Sequence, residues 1–208
     1  MTEPELLDSR LLSRLRCPRD HSDLTAKDRY LHCARGHRYP VVMGIPVFLL
    51  AEKQQTIGIA SASLEAAESM RGEPLYLDTL GISETEKQGI QKNWTADGKI
   101  DAVVSHLIGA TSGWGYAHLI GALSDYPIPK VPLPDGDGKF LLDVGSSWGR
   151  WSMSAARKGW DVISLDPSLG ALLAAKRVSS SLGLKLNLVC GDARYLPFKA
   201  NNFHGVFS

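Results

Sequence analysis

The run Phe140-Leu141-Leu142-Asp143-Val144-Gly145-Ser146-Ser147-Trp148-Gly149 constrains this chain more than any other. Residues 140–144 read as a short buried strand, closed by a turn whose glycines stand four apart, and residues 151–158 read as a helix. A strand that enters a helix through such a turn brings backbone N–H groups close to whatever sits at the helix start. The alternation then continues, with strands over 161–165, 186–190 and 203–207 and a helix over 171–182. Strands alternating with helices predict an α/β fold with a parallel sheet and right-handed crossovers. Asp143, Asp166 and Asp192 stand at or beside the C-terminal ends of three successive strands, where a parallel sheet opens a crevice.

A dinucleotide-binding turn reads Gly-x-Gly-x-x-Gly. Here no third glycine follows, and Asp143 occupies a strand position that such turns leave apolar. An NAD-dependent oxidoreductase is therefore the outlying alternative. Taken together, 142–151, Leu165-Asp166-Pro167-Ser168, Gly191-Asp192-Ala193-Arg194-Tyr195-Leu196-Pro197-Phe198 and 203–208 resemble the class I S-adenosylmethionine (SAM)-dependent methyltransferases, in order and spacing. The resemblance implies a Rossmann-like sheet of which the first four strands are legible. It implies that Asp143, Gly145, Ser146, Ser147, Trp148 and Gly149 lie at the methionine part of SAM. Asp166, with Pro167 and Ser168, would hold the ribose, and Asp192 with Ala193 would read the adenine. The chain departs from the family at Ser147, where glycine is usual, at His204, where aspartate is usual, and at Gly205, where an apolar residue is usual. The family's full sheet has seven strands, so the reading is of a truncated or fragmentary enzyme with little transferase activity of its own. Its methyl acceptor is not legible. Methyl transfer needs no covalent catalyst, and none is named.

Ahead of this half lie two other blocks. Residues 53–135 read as a mainly helical connector. Ser83-Glu84-Thr85-Glu86 fits a capping box, and Ile100, Val103, Val104, Leu107 and Ile108 recur at helical spacing. Tyr116, Leu119, Ile120 and Leu123 repeat the pattern, and Trp114 and Tyr116 are candidates either for covering the cofactor or for the core. Prolines at 127, 129, 132 and 134 then impose an extended link to a partial SAM-binding domain over 136–208.

Residues 1–52 form a small β-rich block. Cys17 and His21, and Cys33 and His37, share one Cys-x₃-His spacing, and two thiolates with two imidazoles can close a tetrahedral Zn²⁺ site. Leu15-Arg16-Cys17-Pro18 and the ending His37-Arg38-Tyr39-Pro40-Val41-Val42 through Gly44-Ile45-Pro46 resemble the small zinc-ribbon-like activators of methyltransferases. In those, a second cysteine falls where Asp20 stands, which makes Asp20 the alternative to His21. A metal-free module with Cys17 and Cys33 merely buried is the other reading. Between Arg10 and Pro40 eight Lys/Arg face three acids, so RNA phosphates are a possible partner, and an RNA- or protein-binding module without catalysis is the alternative function.

Gross composition narrows the rest. The 208 residues carry a net charge of +1, which gives no global case for nucleic acid. No apolar run approaches the roughly 20 residues of a membrane helix, and no export signal opens the chain. Three cysteines without such a signal suit a reducing cytoplasm.

Overall fold

Successive residues of a strand face opposite sides of a sheet, and the C-terminal half follows that rule. Phe140 and Leu142 pack on one face and Leu141 on the other, where Asp143 also points toward a helix. The computed structural model describes residues 7–55, 57–69, 77, 82–97, 100–111 and 123–208. Trp114, Tyr116, Leu119 and Ile120 lie outside them.

The C-terminal elements are β5 (Phe140–Val144), α5 (Arg150–Ala156), β6 (Asp161–Asp166), α6 (Leu169–Ser181), β7 (Asn187–Cys190) and β8 (Gly205–Phe207). They form one parallel sheet in the order β7-β6-β5-β8. The chain thus runs outward from β5 through β6 to β7 and returns to the other side of β5. That return places the ends of β5 and β8 beside one crevice. Two departures in the last strand have local causes. His204 accepts the Phe140 N–H on Nδ1 at 3.1 Å and donates its own N–H to the Phe140 carbonyl at 2.9 Å, which extends the pairing. At Gly205 a side chain would come within 2.8 Å of Leu141 Cδ1, so the apolar residue usual there would require the Leu141 side chain to shift.

The first block forms α1 (Ser9–Leu12) and a separate antiparallel sheet, β1 (Leu24–Lys27), β2 (Tyr30–Cys33), β3 (Arg38–Val42) and β4 (Ile45–Pro46), in that order. The β1–β2 turn uses Asp28 and Arg29, both with positive φ, as two-residue hairpins require. This block does not stand apart. Leu15, Tyr39, Phe48 and Leu50 share a core with Phe140, Leu142, Ile163, Leu165, Val189 and Phe198. It therefore covers one face of β5, β6 and β7, while Val206 of β8, level with Leu142 on that face, stays exposed. Two backbone seams fix it there: Phe48 N–H donates to the Cys190 carbonyl at 2.7 Å, and Arg16 N–H donates to the Pro197 carbonyl at 2.8 Å.

Helices cover the opposite face. The connector supplies α2 (Gly58–Glu68), α3 (Glu84–Asp97) and α4 (Ala102–Thr111). The capping box holds: Ser83 N–H donates to Glu86 at 2.9 Å, and Glu86 N–H donates back to the Ser83 hydroxyl at 3.3 Å. Val103, Val104, Leu107 and Ile108 are buried, as their spacing requires. Ser63 of α2 accepts the Leu169 N–H at 2.9 Å, and Asp101 before α4 pairs with Arg177 at 2.6 Å, so both helices dock on α6. The proline link lies along α5, where Trp160 Nε1 donates to the Pro134 carbonyl at 2.9 Å. Among the described residues no helix is long and apolar enough to cross a membrane.

Candidate functional site

Two cavities meet at the β5 turn, with Val144 and Gly145 in the wall of both. The larger, about 510 Å³, is bounded by Asp143, Ser146, Trp148, Trp151, Val131 and Phe207. The smaller, about 190 Å³, is bounded by Leu165, Pro167, Gly191, Asp192, Ala193 and Ala60 of α2. Gly145 has φ +77 and open space where a side chain would stand, so its backbone is bare toward both. Gly149, also in the left-handed region, serves packing instead: a side chain there would press on Leu186 and Ala175 at 3.3 and 3.4 Å.

Asp143 lines the larger cavity and Asp192 the smaller, while Asp166 lines neither, and each has a different environment. Asp143 is 2% exposed and accepts the Ser152 hydroxyl of α5 at 2.5 Å. Ser164 of β6 donates to Ser152 in turn, at 2.7 Å. Burial pushes the Asp143 carboxyl up to about 6, against the Ser152 hydrogen bond that lowers it, with the nearby Asp166 charge adding to the rise. Asp166 accepts the N–H of Ser147 on one oxygen and of Ser168 on the other, each at 2.8 Å. Burial raises its pKa, and these two N–H groups oppose the rise. Ser147 takes φ 50 in the glycine position, so its bond to Asp166 holds a backbone that L-residues rarely adopt. Ser168 caps α6 through Ala171 N–H, and Trp148 is buried beside Tyr126 while also bounding the larger cavity. Asp192 pairs with Arg194, which lowers its pKa.

One polar atom in this wall is unsatisfied. Ser146 Oγ is buried and has no hydrogen-bond partner among the described residues. Buried hydroxyls without partners are uncommon, and one in a cavity wall suits a polar ligand atom. Sequence patterns did not single out Ser152, Ser164 or Arg194. Nothing marks a serine on a helix as the partner of a strand carboxylate until the two are packed.

The second candidate site lies in the first block. Ligand atoms of Cys17, Asp20, Cys33 and His37 all stand within 4.8 Å of one another. His37 Nδ1 is 3.4 Å from Cys17 Sγ, 3.3 Å from Cys33 Sγ and 3.3 Å from the Asp20 carboxylate, and Cys33 Sγ is 3.8 Å from Asp20. Zinc bonds of about 2.0–2.3 Å give a tetrahedron with edges of roughly 3.3–3.8 Å, which these spacings match. His21 is not part of the cluster. The loop closes with His21 N–H on the Cys17 carbonyl and with His21 at φ 57, which leaves its ring exposed and Asp20 turned inward. The fourth residue of the cluster is thus Asp20, and His21 stands outside it. The Ser22 hydroxyl and N–H hold Asp20 well below the ordinary carboxylate range.

The basic residues of this block are largely committed. Arg10 pairs with Asp161, Arg16 with Asp23, Arg19 with Glu52 and Arg35 with Asp20. Arg14 lies over the Phe140 ring at 3.3 Å and donates to Asn202. Five of the block's cations, Arg10, Arg14, Arg16, Arg19 and Arg35, thus have partners within the chain.

Comparison with known proteins bears on the C-terminal half most directly. Residues 141–208 match a family model described as a methyltransferase domain. The chain is 39% identical over 69 residues to a demethylmenaquinone methyltransferase of Renibacterium salmoninarum, covering 33% of this chain and 27% of that protein. It is 29% identical over 134 residues to the biotin biosynthesis bifunctional protein BioHC of Cellvibrio japonicus, covering 64% of this chain and 23% of that protein. A crystal structure of MccD protein aligns at 30% identity and a TM-score of 0.33, over 34% of this chain and 32% of that one. The chain spans about a quarter of the length of the curated relatives it matches.

Proposed function

We propose that this chain binds SAM across the β5 turn and serves methyl transfer to an acceptor. The observation that carries the reading is the pair of cavities joined at Gly145 and walled by Asp143 on one side and Asp192 on the other. SAM supplies a methyl group on a sulfonium, an electrophile that already has a good leaving group. The protein's part is then positioning. Asp143 and the unsatisfied Ser146 hydroxyl suit the charged amino-acid end, Asp166 the ribose hydroxyls, and Asp192 with Ala193 the nucleobase. Trp148, Trp151 and Phe207 give the larger cavity an aromatic wall. The match of 141–208 to a methyltransferase domain supports the same assignment. Titration calorimetry of the chain with S-adenosylhomocysteine and with NAD tests it. A single site for S-adenosylhomocysteine is expected, and binding of NAD alone would overturn the reading.

A second observation favours a structural zinc ion in the first block. Two thiols, an imidazole and a carboxylate with tetrahedral spacing suit zinc over harder cations. A metal there would tie the Cys17 loop to the β2–β3 turn and stabilise a small β-module whose core is slight. Metal analysis of protein purified without chelator should find about one zinc per chain. Cys33→Ala should lose it and melt lower, while His21→Ala should keep it. Loss of zinc from the His21 variant, with retention in Asp20→Ala, would reverse the ligand assignment. All three cysteines are free thiols.

A further inference from the structure

The turn that follows the first block is tied, through one arginine, to the wall of the smaller cavity. Asp192 is in the wall of the smaller cavity, while Arg194 stands outside it. Arg194 grips the carboxylate from that outer side. Its N–H donates to Asp192 Oδ1 at 2.8 Å, Nε to Oδ2 at 2.9 Å, and Nη2 to Oδ2 at 2.6 Å. The same Nη2 also donates to the Gln54 carbonyl at 2.8 Å. Gln54 belongs to the tight turn that follows the first block's last buried residue, Leu50. That turn is itself anchored. Gln55 Nε2 donates to the carbonyls of Leu50 and Lys53, each at 2.8 Å, and Arg19 holds Glu52 through two bonds of 2.7 Å. Arg19 also donates to the Tyr39 hydroxyl at 2.9 Å, deep in the first block.

A carboxylate on a loop can rotate, and a rotating acceptor discriminates poorly. A planar guanidinium with fixed donors removes that freedom. Here the guanidinium is fixed in turn by a carbonyl from another part of the chain. We propose that Arg194 is a positioning residue for nucleobase recognition, and that the Gln54 turn, just beyond the first block, sets its place. Asp192 is then held ionised, with its remaining acceptor capacity toward the cavity. Such an acceptor favours a 6-amino purine, which donates, over a 6-oxo purine, which presents an acceptor. This inference rests on the SAM reading and adds a source of base selectivity to it.

The test compares equilibrium binding of S-adenosylhomocysteine with that of its 6-oxo counterpart, S-inosylhomocysteine, on the full chain. Wild-type protein should prefer the adenosine ligand by roughly tenfold or more, the worth of one or two hydrogen bonds. Arg194→Ala should bring the ratio near one, and Arg194→Lys should restore part of it. Gln55→Ala, which touches neither ligand nor Asp192, should lower the ratio severalfold by loosening the turn. Thermal melts identify any variant that fails to fold, and Arg194→Lys then carries the comparison. If wild-type protein binds neither ligand, the SAM reading fails and takes this inference with it. If wild-type protein discriminates and Arg194→Ala weakens both ligands equally, the SAM reading stands and Arg194 is only structural.

Discussion

Replacing Asp166 with alanine is expected to abolish measurable S-adenosylhomocysteine binding, a loss on the order of a hundredfold. Two roles end together. The ribose loses its acceptor, and the turn loses its anchor, because Asp166 holds the N–H of Ser147 and of Ser168. Ser147 sits at φ 50 and has no steric reason to stay there once that bond is gone. Asp166→Asn should fail nearly as badly, since its amide has one acceptor oxygen for two N–H donors and its own NH₂ opposes the second. Calorimetry reads both variants directly. Retention of wild-type affinity in either one would show that the ligand avoids the end of β6.

The second large effect concerns pH. In the folded chain Asp143 titrates at about 6, against 3.8 as its ordinary value. A carboxyl raised on folding binds its proton more tightly in the native state. Its contribution to stability is therefore most favourable below about pH 4 and declines as pH rises through 6. A rise of roughly two units at ~1.4 kcal/mol each makes the cost of ionising it about 3 kcal/mol at pH 7. Asp143→Asn keeps an acceptor for Ser152 and removes the charge. Urea denaturation should find the variant more stable than wild type at pH 7 by about 1–3 kcal/mol, and no more stable at pH 4. Parallel stability curves for the two proteins from pH 4 to 7 would refute this. The same variant should bind S-adenosylhomocysteine poorly, because a buried carboxylate facing a cavity is a counter-charge held ready for an ammonium group. Such groups cost stability where they serve function.

Much of the C-terminal half was legible because its signals are local. β5 falls on residues 140–144 as read, and β6, β7 and α6 differ from their expected bounds by one or two residues. An apolar run, a glycine turn and a capping serine each act within a few residues, so sequence order exposes them. β1 was not singled out. Its turn, Asp28-Arg29, adopts positive φ without the Asn-Gly or Asp-Gly pair that usually marks such hairpins. The choice between Asp20 and His21 turns on one left-handed residue in the Cys17 loop, which spacing alone does not specify. Least legible was the use of the first block as a cover for the sheet. Leu15, Phe48 and Leu50 read only as apolar; what they meet in the sheet begins at Phe140, far along the chain. The partners of Arg10 and Arg14 were illegible for the same reason, since they lie at Asp161, Phe140 and Asn202.

The seams that hold the first block to the sheet bear on how the chain acquires its shape. Arg16 bonds to Pro197, Arg14 to Lys199, and Phe48 to Cys190. Closing contacts between such distant positions is slow, because the intervening chain must be ordered before they form. During synthesis the apolar side of the first block leaves the ribosome long before strand β7 exists to receive it. For that interval Leu15 and Phe48 are exposed, at risk of sticking to other nascent chains. The first block is thus made before the sheet it covers and is among the last parts to be secured.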